Sequence, residues 1–440
     1  MTMGKTFALI SLGCAKNLVN SEQMLYLLDE AGYTLVPDPE GADFCIINTC
    51  GFIDAAKSEA IDNILEMAEL KKAGKLGALI VTGCLSERYK ETILSELPEI
   101  DAVLGISSFG DIVKAVRALE LGERPQLFAD RDAPVEEISR VVSTGPGWAY
   151  LRIAEGCSNF CAFCAIPYIR GHYRSRSMEN VLAEARELAA HGVKELIVIA
   201  QDITRYGTDL YGRRCLAELC RELAKIEGVE WIRLHYLYPD QFDDELIDEI
   251  AANDKIVKYL DIPIQHSNNA ILKRMNRKGT GDEIRALFQT LRERIPGLVL
   301  RTSLIAGLPG EGEAEFEELC AFLREAKIER AGVFPFSPEE GTPAAKMAHV
   351  DEEEARRRAD LILSLQQPIM DEFCQRFVGQ TLRVLVESYD EEEQCWVGRS
   401  YADSPDIDGE VRFEGLAHEG DFSEVLITAA EDGILYGEEA

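Results

Sequence analysis

The sequence predicts an α/β protein in three parts: an N-terminal open parallel α/β sheet domain, a central partial (βα)6 TIM-like barrel, and a small antiparallel β-barrel at the C-terminal end. Three observations carry this. Apolar, β-branched runs alternate with helical patterns over residues 1–120. The alternation resumes in six units from about residue 148. After Val378 it gives way to short strands between acidic, glycine-containing turns.

The first part takes its strands from FALISLG (7–13), DFCIINTC (43–50), GALIVTGC (77–84) and DAVLG (101–105). Continuous apolar runs of this length suit strands covered on both faces. NSEQMLYLLDEAG and DAAKSEAIDNILEMAELKKAG read as helices between them, closed by Gly32 and Gly74, since glycine takes the left-handed conformation that ends a helix. Periodicity fades over 121–147, between prolines and glycines, and this stretch reads as a linker.

The second part runs from 148 to 377. Its candidate strands are AYLRIAE (149–155), ELIVIAQ (195–201), WIRLHYL (231–237), YLDIPIQ (259–265), LVLRTSLIAG (298–307) and AGVFPF (331–336). Helices such as ENVLAEARELAAHG and GDEIRALFQTLRERI separate them, and six units fall short of the eight that close a barrel. A Glu- and Arg-rich helix, DEEEARRRADLILSLQQPIMDEFCQRF, ends this part. TLRVLVE, CWVGRSY, GEVRF and SEVLITAA then supply short strands for the third part, 378–440.

Composition narrows the class. With 46% hydrophobic and 28% charged residues, the chain reads as a soluble globular protein. No apolar run approaches the ~20 residues of a membrane span, and FALISLG is too short for a signal segment, so a cytoplasmic protein is expected. A net charge of −32 disfavours nucleic-acid backbones and favours a basic partner. Twelve cysteines in a reducing compartment point to metal or redox chemistry rather than to disulfides.

Two sets of cysteines stand out. Cys157, Cys161 and Cys164 form a C-x3-C-x2-C run in AEGCSNFCAFCAIPYIRG (154–171), directly after the first barrel strand, where barrel enzymes place their sites. Iron–sulfur clusters take one thiolate per iron. Three local thiolates therefore leave one iron of a four-iron cluster open to a small molecule. The alternatives are three buried cysteines, or a zinc site completed by a distant ligand such as His172. Zinc sites usually pair their cysteines as C-x2-C twice, and no second C-x2-C is present.

Cys14, Cys50 and Cys84 each end a strand of the first part. Ligands of an open parallel sheet gather outside the carboxyl ends of its strands, so these three thiols share one crevice and suit a second cluster with an open iron. Gly13, Gly51 and Gly83 flank them and admit close backbone approach. Cys45, Cys215, Cys220, Cys320, Cys374 and Cys395 share no register and read as packing residues.

The C-x3-C-x-aromatic-C loop, with Phe163 before its last cysteine, resembles the radical S-adenosylmethionine (radical SAM) enzymes. That resemblance implies a four-iron cluster whose open iron chelates S-adenosylmethionine and splits it, on one-electron reduction, to a 5′-deoxyadenosyl radical. Two three-cysteine sites plus a terminal small barrel resemble the methylthiotransferases over essentially the whole chain. GCAKNLVNSE (13–22), QDITRYG (201–207), IPIQHSNNAILKRMNRKGT (262–280) and FPFSPEEGTPA (334–344) are similar to motifs of the RimO branch.

The tRNA-modifying branch is expected to show a GCQMN-like start and a GQN segment instead. The RimO resemblance implies methylthiolation of the β-carbon of an aspartate in small-subunit ribosomal protein twelve, a basic protein. It also implies two four-iron clusters, two molecules of S-adenosylmethionine, a C-terminal TRAM domain and an electron donor such as a flavodoxin or ferredoxin. Residues 378–440 carry three arginines, no lysine and seventeen carboxylates, a balance of 3 − 17 = −14, which repels RNA and suits a basic protein loop.

Several barrel residues are candidate contacts for S-adenosylmethionine. Phe163 matches the family's adenine-packing aromatic, or packs in the core. Gly307, Pro309, Gly310 and Glu311 in RTSLIAGLPGEG resemble the family's IxGxPGE run, although Gly312 stands where the family usually has Thr. Gln201 and Gln265 end strands and offer hydrogen bonds, and Arg301 offers a partner for a carboxylate. Arg170, Arg174 and Arg176, just beyond the cysteine loop, are candidates for the substrate aspartate. A non-catalytic iron–sulfur carrier is the reading from another class, and six barrel units with a cofactor-type loop fit it poorly.

Overall fold

The computed structural model describes residues 5–440. They divide into two compact units. The first gathers the chain up to Ser143 with Ala154–Arg176 and Glu339–Thr342; the second takes Thr144–Ile153, Ser177–Pro338 and Pro343–Ala440.

The first unit is built on six strands: β1 (Thr6–Ser11), β2 (Thr34–Leu35), β3 (Phe44–Thr49), β4 (Ala78–Gly83), β5 (Ala102–Leu104) and β6 (Gln126–Leu127). They pair in parallel in the order β2-β1-β3-β4-β5-β6. Side chains alternate between two cores with period two. Cys45, Ile47, Leu79 and Val81 pack with Ile64 and Met67 of the helix Asp54–Lys72. Phe44, Ile46 and Ile80 pack on the opposite face with Met24 and Leu28 of the helix Ala15–Glu30.

The expected linker is structured rather than free. Its residues supply β6 and then run back along the first helix, where buried Glu22 pairs with Arg140 at 2.5 Å and accepts from the Ser143 amide at 2.7 Å. Leu127, Phe128 and Ile138 also pack against the two cores, but they are too sparse to form a periodic pattern.

In the second unit β7 (Trp148–Arg152) opens another parallel sheet. The two-residue ribbon of β8 (Ala154–Glu155) and β9 (Arg174–Ser175) follows it in the chain but belongs to the first unit. The sheet continues with β10 (Glu195–Ile199), β11 (Trp231–Leu234), β12 (Ile256–Asp261), β13 (Val299–Ala306) and β14 (Arg330–Pro335). Its order is β14-β13-β12-β11-β10-β7, an open partial barrel whose edges are β14 and β7. The helix Gly281–Arg294 begins with a reciprocal cap, Thr280 and Glu283 each closing on the other's backbone amide.

The last five strands are β15 (Thr381–Asp390), β16 (Cys395–Arg399), β17 (Val411–Glu414), β18 (Phe422–Glu431) and β19 (Ile434–Glu439). They close a barrel in the order β15-β16-β17-β19-β18. Every pair is antiparallel except β17 with β19, which is parallel.

This barrel is no separate body. Glu195, the first residue of β10, lies fully buried between Arg233 of β11 and Arg399 of β16, each 2.7 Å away. Arg330, the first residue of β14, pairs with Asp403, and Tyr259 donates to Asp408 at 2.6 Å. These contacts gather toward the starts of the strands, the end opposite to where parallel barrels place ligands.

Burial pushes the Glu195 carboxyl up, but Arg399 and Arg233 outweigh it and hold the group below the usual glutamate range. Its contribution to stability is therefore present above that range and is lost as pH falls through it. Glu195→Ala leaves two buried guanidiniums facing each other and is expected to cost about 3–5 kcal/mol in urea denaturation at neutral pH. The variant should also lose part of the wild-type decline in stability on acidification.

Candidate metal centres

In the first sheet the chain places β2 on one side of β1 and β3 on the other. Such a reversal opens a crevice at the carboxyl ends of the two diverging strands. Cys14 lies just beyond β1, Cys50 follows β3 directly, and Cys84 follows β4 directly. The backbone around them is bound to glycine. Gly13 and Gly83 have φ of +91° and +99°. A Cβ at Gly13 would stand 2.7 Å from the Cys50 Cβ, and one at Gly83 would stand 2.4 Å from the Thr49 carbonyl. At Gly51 it would meet the Leu85 amide nitrogen at 2.8 Å.

Asn17 joins the loops. Its amide nitrogen donates to the carbonyls of Leu12 at 3.0 Å and Thr49 at 2.9 Å, just beyond β1 and at the end of β3. Its side-chain oxygen accepts from the Cys84 thiol at 3.6 Å and from Arg170 Nη2. Arg170 is only 1% exposed and also reaches Glu155 at 2.9 Å.

The thiols differ. Cys14 is exposed; desolvation by the neighbouring chain raises it, but Lys16, Arg170 and the amides of Asn17 and Lys16 outweigh this and hold it below the ordinary thiol range. Burial pushes Cys84 up to about 12 despite Arg170. Cys50 is raised as well, again chiefly by burial.

The other triad stands on a short loop of the same unit. Cys157 and Cys161 are buried and Cys164 half-buried. The Cys157 amide donates to the Gly171 carbonyl at 3.1 Å, and the Cys164 amide to the Cys161 carbonyl at 3.0 Å. The ribbon β8/β9 closes the base of this loop. Ala165 and Ile169, in and beside the helix Ile166–Arg170, pack with Cys84 and Ile106. One short helix thus carries the second cysteine loop onto the first site.

Among the described residues no three His, Cys, Asp or Glu side chains converge closely enough to hold a single metal ion. The donors are all sulfur, and the glycine-lined backbone around the first triad fits an iron–sulfur cluster.

The remaining candidates fall as follows. Phe163 is half-buried on the loop, and Gln201 is half-buried just beyond β10. Gln265 has φ of +69° and bridges to β13 through backbone hydrogen bonds to Ser303 and Ile305. Glu311 is not turned outward: both its oxygens accept from the Gly307 amide at 3.0 Å, and Arg358 and His266 pair with it at 2.9 and 3.4 Å. It clamps the turn.

Gly310 has φ of +86°, a conformation that favours glycine, and Arg274 donates to the Pro309 carbonyl beside it at 3.2 Å. With glycine at 312, no hydroxyl caps the helix Glu313–Ala326, and only the Glu315 carboxylate closes it, accepting from the Gly312 amide at 2.9 Å.

Four candidate arginines have partners within the protein. Arg301 pairs with Asp261 at 2.8 Å and lies 3.7 Å from Asp408, so two protein carboxylates take the guanidinium proposed for a cofactor. Arg170 is buried at the first cysteine site rather than presented to substrate. Arg176 is committed to Glu137, and Arg174 to the carbonyls of Arg170 and His172.

The sequence reading also missed Glu339. It is buried against Arg88 at 2.8 Å and Lys57 at 3.1 Å and accepts from the Asp54 amide, while Arg88 donates to the Gly51 carbonyl beside Cys50. Its partners lie more than 250 residues away in sequence, so no local signal marks it.

An open six-strand partial barrel with a C-x3-C-x2-C loop and a closed terminal barrel define a radical SAM protein. Family comparison agrees: the Radical SAM superfamily matches residues 151–323, the TRAM domain 378–439, and the uncharacterized protein family UPF0004 residues 6–105. Ribosomal protein uS12 methylthiotransferase RimO of Clostridium botulinum is 47% identical over 439 residues, covering 98% of both chains. The RimO of Caldanaerobacter subterraneus is 49% identical over 438 residues, covering 99% of this chain and 100% of that one.

Among solved structures, the radical S-adenosylmethionine methyltransferase TsrM from Kitasatospora setae matches with TM-score 0.57 at 14% identity, over 78% of this chain and 77% of that one. The cobalamin-dependent radical enzyme OxsB matches with TM-score 0.52 at 14% identity, over 84% and 56%. Those two share the fold. The chain belongs to the RimO family of methylthiotransferases.

Gly83→Ala is expected to destabilise the chain by roughly 1–3 kcal/mol from backbone strain, with further loss from the Thr49 contact, and to lower the iron retained after reconstitution. Gly74 shares a positive φ, +69°, but has open space around it. Gly74→Ala should cost only the strain and leave iron content unchanged. Thermal unfolding and iron assay of both variants check this.

Proposed function

We propose that this chain methylthiolates the β-carbon of an aspartate in ribosomal protein uS12. The observation that carries the reading is the pair of three-cysteine sites, each one thiolate short of a four-iron cluster, in a chain of the RimO family. Cys157, Cys161 and Cys164 hold the cluster that binds S-adenosylmethionine, and Cys14, Cys50 and Cys84 hold the auxiliary one. Bound there, cluster and S-adenosylmethionine together supply hydrogen abstraction from an unactivated carbon and a transferable methyl group.

The chain's own residues provide the setting. Phe163, Gln201 and Gln265 are assigned to cofactor contact, with the Gly307–Gly310 turn held in shape by Glu311 and Arg358. An external electron donor, such as a flavodoxin or ferredoxin, is required for reduction. Among the described residues no helix is long and apolar enough to cross a membrane, and we place the reaction in the cytoplasm.

The terminal barrel supports a basic protein substrate. Its three arginines are spoken for: Arg383 pairs with Glu230, Arg399 with Glu195, and Arg412 with Glu410. Glu391, Glu392, Glu393, Glu424 and Glu438 face solvent. Such a face attracts Lys and Arg side chains and repels a phosphate backbone.

The test is an anaerobic assay of the reconstituted chain with S-adenosylmethionine and reductant, offered a uS12 peptide and unmodified tRNA in parallel and read by mass spectrometry. A methylthio adduct on the peptide aspartate alone is expected; an adduct on adenosine alone overturns the reading. Cys157→Ala should abolish S-adenosylmethionine cleavage. Cys14→Ala should leave cleavage in place and abolish the adduct.

A further inference from the structure

We propose that Arg170 is a positioning residue that sets the charge, and with it the reduction potential, of the centre at Cys14, Cys50 and Cys84. The inference rests on the auxiliary-cluster reading above and goes beyond it. Arg170 comes from the helix after the other cysteine loop, 153 residues away from Asn17 in sequence. It is 1% exposed, faces Cys14 and Cys84, and reaches the Cys84 thiol's own acceptor, Asn17 Oδ1.

An ion pair usually cancels such a cation. Here the partner, Glu155, keeps a side-chain exposure of 12% against 1% for Arg170. Water screens the carboxylate more than the guanidinium, so a net positive field remains on the sulfur side. Lys16 adds to it at Cys14.

Iron–sulfur potentials follow net charge, hydrogen bonds to sulfur and solvent exposure, and Arg170 controls the first two. A cation beside the cluster favours the electron-rich form, so its presence raises the potential. Because Gly171 next to it accepts from the Cys157 amide, the same residue also couples the fit of one cysteine loop to the charge at the other.

The test is a redox titration of the reconstituted full-length chain, followed by electron paramagnetic resonance. The signal missing from a Cys14→Ala/Cys50→Ala/Cys84→Ala variant belongs to this centre. Arg170→Met should shift its midpoint potential to more negative values, Arg170→Lys should restore most of the wild-type value, and Glu155→Gln should shift it the opposite way. Opposite signs are the readout a purely structural role does not give.

Should Arg170→Met misfold around the unpaired Glu155, Arg170→Met/Glu155→Gln removes both buried charges. Its potential should then lie below that of Glu155→Gln alone. An unmoved potential with full iron content overturns the inference while leaving the cluster reading intact. A triple cysteine variant that loses neither iron nor signal overturns both.

Discussion

Three thiols 34 to 36 residues apart in sequence share one centre only if the backbone delivers them to the same edge of the molecule. Parallel pairing of β1, β3 and β4 does this, because every strand then ends on the same side. The rest of the first unit follows from that constraint. The strands must be apolar on both faces, helices must cover both faces, and glycines must stand beside the cysteines so that neighbouring loops approach without a Cβ between them.

The opposite end of the second sheet answers a different need. Six parallel strands cannot close a barrel, and the starts of β10, β11 and β14 carry Glu195, Trp231 and Arg330 in place of an aliphatic floor. The terminal barrel meets them with charges of opposite sign, Arg399 and Asp403, and with Phe422, whose ring stands 4.7 Å from Trp231. Buried ion pairs are weak contributors to net stability yet costly to break, so this arrangement fixes where the barrel docks more than it adds to the free energy of folding.

The architecture was legible because its signals are local. A β-branched run of six or seven residues, a Gly closing a helix, and three cysteines within eight positions are all read from a short window. The six βα units and the strand-end cysteines came from that window alone. The two-residue strands β2 and β6 are too short to leave a pattern, and the stretch read as a linker is held by Glu22 rather than by apolar periodicity.

The partners of the arginines are hidden from the sequence for a related reason. A basic residue in sequence shows its charge but not its counter-ion. Arg301 finds Asp408 across a domain-length gap and Arg399 finds Glu195 across 204 residues, while Arg170 also reaches the neutral amide of Asn17 across 153. The clamp that Glu311 makes on its turn is equally hidden, because the amide it accepts from, that of Gly307, is one that only the folded loop presents.

The segments that follow β7 and β14, the two edge strands of the second sheet, are both counted with the first unit. Translation runs from the N-terminus, so β1 to β6 emerge shortly before the first of these segments and long before the second. At that stage Cys14, Cys50 and Cys84 stand without the charge of Arg170 and without Glu339 bracing the Arg88–Gly51 contact. The timetable of synthesis therefore orders assembly: the loop at 154–176 follows the first sheet, Glu339–Thr342 arrives last, and the surroundings of the three strand-end cysteines are complete only in a chain that is nearly full length.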